Sequence, residues 1–167
     1  MGLQSGLSGN KIESLTIDNC GNELPDNNLN DINTVFYQDE NYSLCSLKAL
    51  NISNSNASVY VNGKFSAETV TVSNCNLSSQ EYMYFNLPST KIGTLAISGC
   101  TMGYFFADSS IIGNITIDNC TFQGNAYIYV GNKTSVNNCK GLRSIYSKSC
   151  SDLTVTNTVC SDISCGD

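Results

Sequence analysis

The chain has 167 residues, of which 41% are hydrophobic and 13% charged; it has no histidine, and its formal net charge is −6. That length and apolar share suit one domain with its own core and exclude a disordered tail. Eight basic residues, with Arg143 the single arginine, leave no electrostatic footprint for nucleic acid, and no apolar run of about 18 residues is present to span a bilayer as a helix.

Residues 1–10, MGLQSGLSGN, lack the charged and apolar regions of a signal peptide and read as a lead-in. KIESLTIDNC (11–20) then sets a pattern: Leu15 and Ile17 form one face of a strand, Thr16 and Asp18 the other, and Asn19-Cys20 ends it. After an insert near 21–34 and a short apolar VFY (35–37), the pattern returns as SLKALNISNS (46–55) and, after VYV (59–61), as SAETVTVSNC (66–75). YMYF (82–85) leads to KIGTLAISGC (91–100), YFF (104–106) to IIGNITIDNC (111–120), and YIYV (127–130) overlaps VGNKTSVNNC (130–139). SIY (144–146) and SCSDLTVTNT (149–158) close the series, and residues 161–167 read as a tail.

The blocks begin 35, 20, 25, 20, 19 and 19 residues apart, so each unit is a coil with at least two short strands. A unit of that size cannot bury its own apolar face, and it must stack on its neighbours. The expected fold is all-β: a single-stranded parallel β-helix, or solenoid, of about seven coils of 19–25 residues over 11–160, with a right-handed coil. A leucine-rich repeat shares the period but asks for more leucines and a helical limb; these repeats offer β-branched residues and turns instead.

Stacking places equivalent residues above one another. Asn19, Asn54, Asn74, Asn119, Asn138 and Asn157 form one column at a sharp corner, with Gly99 the gap, and asparagine tolerates the backbone angles such a corner needs. Cys20, Cys75, Cys100, Cys120 and Cys139 form the next column, with Ser55 and Thr158 as polar substitutes; small buried thiols are the expectation there. Cys45, Cys150, Cys160 and Cys165 lie off it. Nine cysteines cannot pair completely within one chain, there is no CxxC, and no metal site or cofactor is expected.

ITIDNCTFQGN (115–125) resembles the repeat of right-handed parallel β-helix surface proteins of the polymorphic outer-membrane and autotransporter type, where an apolar strand, Asn, Cys and a following Phe recur. The pattern covers most of residues 11–158, with Phe122 and Gly124-Asn125 completing it once. Pectate-lyase-like enzymes share that fold, and so do noncatalytic adhesins and phage fibres, so the resemblance implies a fold and leaves the activity to the site.

Glycan-cleaving β-helices need clustered carboxylates. Asp18 and Asp118 share a repeat position but stand about four coils apart, roughly 20 Å at the strand spacing; Asp108, Lys140 and Arg143 make no recognisable motif, and no catalytic residue is assigned. The second strand is more informative. If Met83, Phe85, Ile128 and Val130 point inward, Tyr82, Tyr84, Tyr127 and Tyr129 point outward, joined in neighbouring coils by Tyr37, Tyr104, Phe106 and Tyr146. Such an aromatic stripe suits stacking on sugar rings or burial against a protein.

The expectation is therefore a non-enzymatic structural or adhesive solenoid at a cell surface or outside the cell, whose partners are a surface glycan or protein, or further copies stacked end to end into fibres. A polysaccharide-binding or polysaccharide-cleaving β-helix is the alternative. Ice binding is a lesser one, because in the columns of Thr16 and Asp18 only Thr154 and Thr156 make a Thr-x-Thr pair. N-x-S/T sequons at Asn41, Asn51, Asn56, Asn76, Asn114, Asn119 and Asn132 add a weak extracellular signal in so Asn-rich a chain.

Overall fold

The computed structural model describes residues 3–4, 11–20, 34–39, 44–56, 58–62, 64–77, 82–85, 90–107, 112–123, 126–129, 132–147 and 151–165. Most of the insert near 21–34, and the side chains of Tyr37, Tyr82, Tyr127 and Tyr129, lie outside what is described.

The repeated blocks form one sheet and the aromatic segments another. The block sheet contains β2 (Lys11–Asp18), β4 (Cys45–Ser53), β6 (Phe65–Ser73), β8 (Thr90–Ser98), β11 (Ile112–Asp118), β14 (Lys133–Asn137) and β16 (Asp152–Thr156), in that spatial order. The aromatic sheet contains β1 (Leu3–Gln4), β3 (Thr34–Asp39), β5 (Ser58–Asn62), β7 (Tyr82–Phe85), β10 (Tyr104–Ala107), β13 (Ala126–Tyr129), β15 (Leu142–Ser147) and β17 (Cys160–Cys165). A third, two-stranded sheet pairs β9 (Thr101–Met102) with β12 (Thr121–Phe122). All these pairings are parallel, and no helix occurs among the described residues, so the chain is an all-β parallel solenoid and not a leucine-rich repeat. β17 carries the aromatic sheet into the segment read from sequence as tail.

Register turns the sequence alternation into a core. Leu15, Leu50, Val70, Leu95, Ile115, Thr134 and Leu153 form one inward column, and Ile17, Ile52, Val72, Ile97, Ile117, Val136 and Val155 the next. Facing them, Phe36, Val59, Met83, Phe105 and Ala126 are almost wholly buried from the aromatic sheet. The third sheet contributes Met102 and Phe122, with Leu77 in the same column of the preceding coil. The tilted Phe105–Phe122 ring pair, 6.0 Å between centroids, ties two of the sheets together.

The strands of the block sheet also bend. Exposure along β6 shows Glu68 and Thr69 as successive outward residues, and the register passes from Leu47–Ala67 to Ala49–Thr69 with Lys48 and Glu68 left between. At that bend a Cβ on Gly93 would sit 2.6 Å from the Glu68 carbonyl oxygen, so the coils approach too closely there for any side chain.

Candidate functional site: an aromatic ladder and a thiol column

The aromatic ladder begins with strand alternation. Val59, Val61, Met83, Phe85 and Phe105 point inward with no measurable exposure, which turns Tyr60, Tyr84 and Phe106 outward. In-register pairing places Tyr60 beside Tyr84 and Tyr84 beside Phe106. The rings are stacked: 5.3 Å and 10° between Tyr60 and Tyr84, 5.2 Å and 22° between Tyr84 and Phe106. All three are half-buried, so part of each ring meets solvent. Tyr37 precedes Tyr60 in this column by backbone register and Tyr127 follows Phe106. Tyr104 pairs with Tyr82 in a neighbouring column, and Tyr129 with Tyr146 in another; Tyr104 and Tyr146 are themselves half-buried.

By backbone register the expected aromatic positions fall on three columns, of which the one through 37, 60, 84, 106 and 127 has an aromatic residue at each place. Tyr60 is its missed member. Its signal was the V-Y-V alternation at 59–61, weaker than the doubled tyrosines of YMYF and YIYV.

The opposite corner is built by asparagine. Asn19, Asn54, Asn74, Asn119, Asn138 and Asn157 all have φ between 47° and 53°, and Gly99 takes the seventh place at 62°. Asparagine is among the few residues that enter this left-handed region, and glycine enters it freely. Two of these amides bridge coils by bonding to carboxylates. Asn54 Nδ2 donates to Asp18 Oδ1 at 2.8 Å, and Asn138 Nδ2 to Asp118 Oδ1 at 3.3 Å. Ser53 Oγ and Asn137 Nδ2 donate to the same carboxylates at 2.6 and 2.9 Å. These bonds, from Ser53 first and Asn54 second, hold the Asp18 carboxyl below its ordinary range. Asp18 and Asp118 are therefore braces of the corner, four strands apart in the block sheet.

The next residue in each coil turns inward. Cys75, Cys100, Cys120 and Cys139 are buried, as is Ser55, whereas Cys20 is exposed; among the described residues the Ser55 coil is the one stacked against it. Each side chain donates to the carbonyl two residues back, at 3.3 Å from Cys20, Cys75, Cys100 and Cys120, 3.1 Å from Cys139, 2.8 Å from Ser55 and 2.9 Å from Thr158. It also accepts an amide N–H from the coil before, as in Cys20 to Ser55 at 3.2 Å, Cys75 to Cys100 at 3.4 Å and Cys139 to Thr158 at 3.2 Å. Thiol and hydroxyl are interchangeable here because each offers one donor and one acceptor.

Contact between thiols splits their acidities. The neighbouring Cys100 thiol draws Cys75 down to about 7, and the Cys100 and Cys139 thiols hold Cys120 low. Cys100 and Cys139 are pushed up, each chiefly by the Cys120 thiol beside it. Cys45, buried off the column, is raised by desolvation.

One further concavity, of about 750 Å³, follows the outer side of the bend, where Glu13, Lys48, Glu68 and Lys91 bring alternating charges over Ser46 and Ser66. Among the described residues no group of three His, Cys, Asp or Glu side chains is arranged to hold a metal ion, and no helix is long and apolar enough to cross a membrane. Fold and site together define the class as a parallel β-solenoid. No protein-family model, curated protein or solved structure matches the chain, so the likeness of ITIDNCTFQGN to surface-protein repeats rests on the sequence pattern alone.

Proposed function

We propose that this chain is a non-enzymatic structural solenoid that acts as an adhesive module at a cell surface or outside the cell, with the aromatic ladder as its contact face. The observation that carries this reading is the Tyr60–Tyr84–Phe106 stack, three rings in successive coils at 5.3 and 5.2 Å. A β-sheet fixes those rings at low entropic cost, so little ordering free energy is lost when a partner docks. Rings held at one spacing from coil to coil fit a repeating partner, and a surface glycan offers C–H and hydroxyl groups at regular intervals to the ring edges that the stack leaves uncovered. Asp18 and Asp118, the carboxylates that share a repeat position, are committed to the corners.

Affinity electrophoresis through gels that contain neutral or acidic polysaccharides tests this. The wild-type chain should be retarded by at least one of them, and Tyr84→Ser should migrate as in an empty gel. Equal retardation of both would remove the ladder from the contact.

End-to-end assembly is supported by a separate observation. In the last described coil Ile163 is 45% exposed although Ile145, its partner one coil earlier, is buried, and Leu153 and Val155 are half-buried, an apolar layer that suits one more parallel coil. If copies of this chain supply it, light scattering will show mass growing with concentration; a constant monomer mass excludes fibres.

A further inference from the structure

Four thiols occupy successive coils of one column. Cys75, Cys100, Cys120 and Cys139 are each 2% exposed or less, none is in a disulfide, and the block strands that precede them pair in register. In that register the thiols of adjacent coils are neighbours: Cys100 meets Cys75 and Cys120, and Cys120 meets Cys139. Neighbouring coils are about 4.8 Å apart. Two metal–thiolate bonds of about 2.3 Å, laid end to end, span about 4.6 Å. No three such ligands converge among the described residues, so a tetrahedral ion has no seat; a two-coordinate ion needs only two sulfurs in line. Thiolate softness selects monovalent copper and its d10 relatives over harder cations.

We propose that the thiol column binds soft monovalent d10 cations, Cu(I) or Ag(I), between sulfurs of adjacent coils, one ion between Cys75 and Cys100 and one between Cys120 and Cys139. In each case two S–H bonds break, two metal–sulfur bonds form and two protons pass to solvent; no electron moves.

The surroundings accept that exchange. Each carbonyl that loses a thiol donor already holds a backbone N–H from the neighbouring coil: Ser73 from Asn54 at 3.0 Å, Ser98 from Asn74 at 2.9 Å, Asp118 from Gly99 at 3.1 Å and Asn137 from Asn119 at 3.0 Å. None is orphaned. The amide N–H groups of Cys75, Cys100 and Cys120 point at the sulfur of the following coil, where they favour the anionic dithiolate. Ser55 and Thr158 close the array at either end, which leaves exposed Cys20 outside it.

The test is an anaerobic Ag(I) titration of the fully reduced chain carrying Cys20→Ser, Cys150→Ser, Cys160→Ser and Cys165→Ser, read by native mass spectrometry and X-ray absorption. Two ions per chain with a shell of two sulfurs are expected. Adding Cys120→Ser should remove one ion, since Ser55 already fills an equivalent position with the same bond to the carbonyl two residues back. An undiminished ion count in that variant, or a shell containing nitrogen or oxygen, overturns the proposal. Should Cys120→Ser fail to fold, the absorption spectrum of its parent still decides.

Discussion

At the scale of single residues, the corners concentrate the constraint. A Cβ-bearing residue other than asparagine pays about 1–2 kcal/mol to hold the left-handed region. Asn74, at φ 52°, should therefore tolerate Gly and lose about 1 kcal/mol as Ala, measured by urea unfolding. Gly141 is stricter: with φ at 74° and the Phe122 carbonyl oxygen 2.1 Å from where a Cβ would sit, Gly141→Ala should cost more than Asn74→Ala in the same assay.

Titration adds two opposite signatures. Asp18 has a depressed folded pKa, so its contribution is present above its ordinary value of 3.8 and disappears as pH falls further; Asp18→Asn should flatten the acid limb of a stability–pH curve. Cys45 has a raised folded pKa, so its contribution is full below its ordinary 9.0 and lost as pH rises beyond it. Cys45→Ala should shallow the alkaline limb.

The corner residues were legible in the sequence because the same letters return at each coil. The bracing roles of Asp18 and Asp118 were not, since a carboxylate on a polar face looks solvated until its neighbours in the next coil are known. The burial of Cys45 was hidden for a related reason: it stands outside the repeated block.

At the scale of elements, alternation determined which side of each strand faces the core, and register did the rest. Leu95 lies at the middle of the block sheet with no exposure, and Leu95→Ala should destabilise by about 2–5 kcal/mol in denaturant melts. The aromatic strands show what sequence leaves open. YMYF and YIYV permit either face inward, and only the packing of Met83 and Phe85 against the core fixes Tyr84 outward. Each stacked ring pair adds about 0.5–1.5 kcal/mol beyond area burial, so Tyr84→Ala, which ends two stacks, should lower stability by about 1–3 kcal/mol while the β-rich circular dichroism spectrum is kept. The bend at Lys48, Glu68 and Gly93 was invisible beforehand. A strand that bends without a turn residue has no sequence mark except the glycines, and their reason is a carbonyl from another coil.

At the scale of the whole molecule, parallel stacking makes each column a line of chemically related groups: rings on one side, asparagine at a corner, thiols behind it. The repeat that made the solenoid recognisable builds the core, the corner and the thiol column. The aromatic ladder lies between the blocks, in segments whose lengths vary and whose aromatic residues recur without a fixed motif.

The central claim is that the Tyr60–Tyr84–Phe106 ladder is the surface through which the molecule adheres. A glycan array probed with the wild-type chain and with the Tyr60→Ser/Tyr84→Ser/Phe106→Ser variant, both checked for folding by circular dichroism, tests it most directly. The account predicts a defined set of wild-type signals that the variant loses at least tenfold; a folded variant with an unchanged binding profile, or a wild-type chain that binds no glycan on the array, would contradict it.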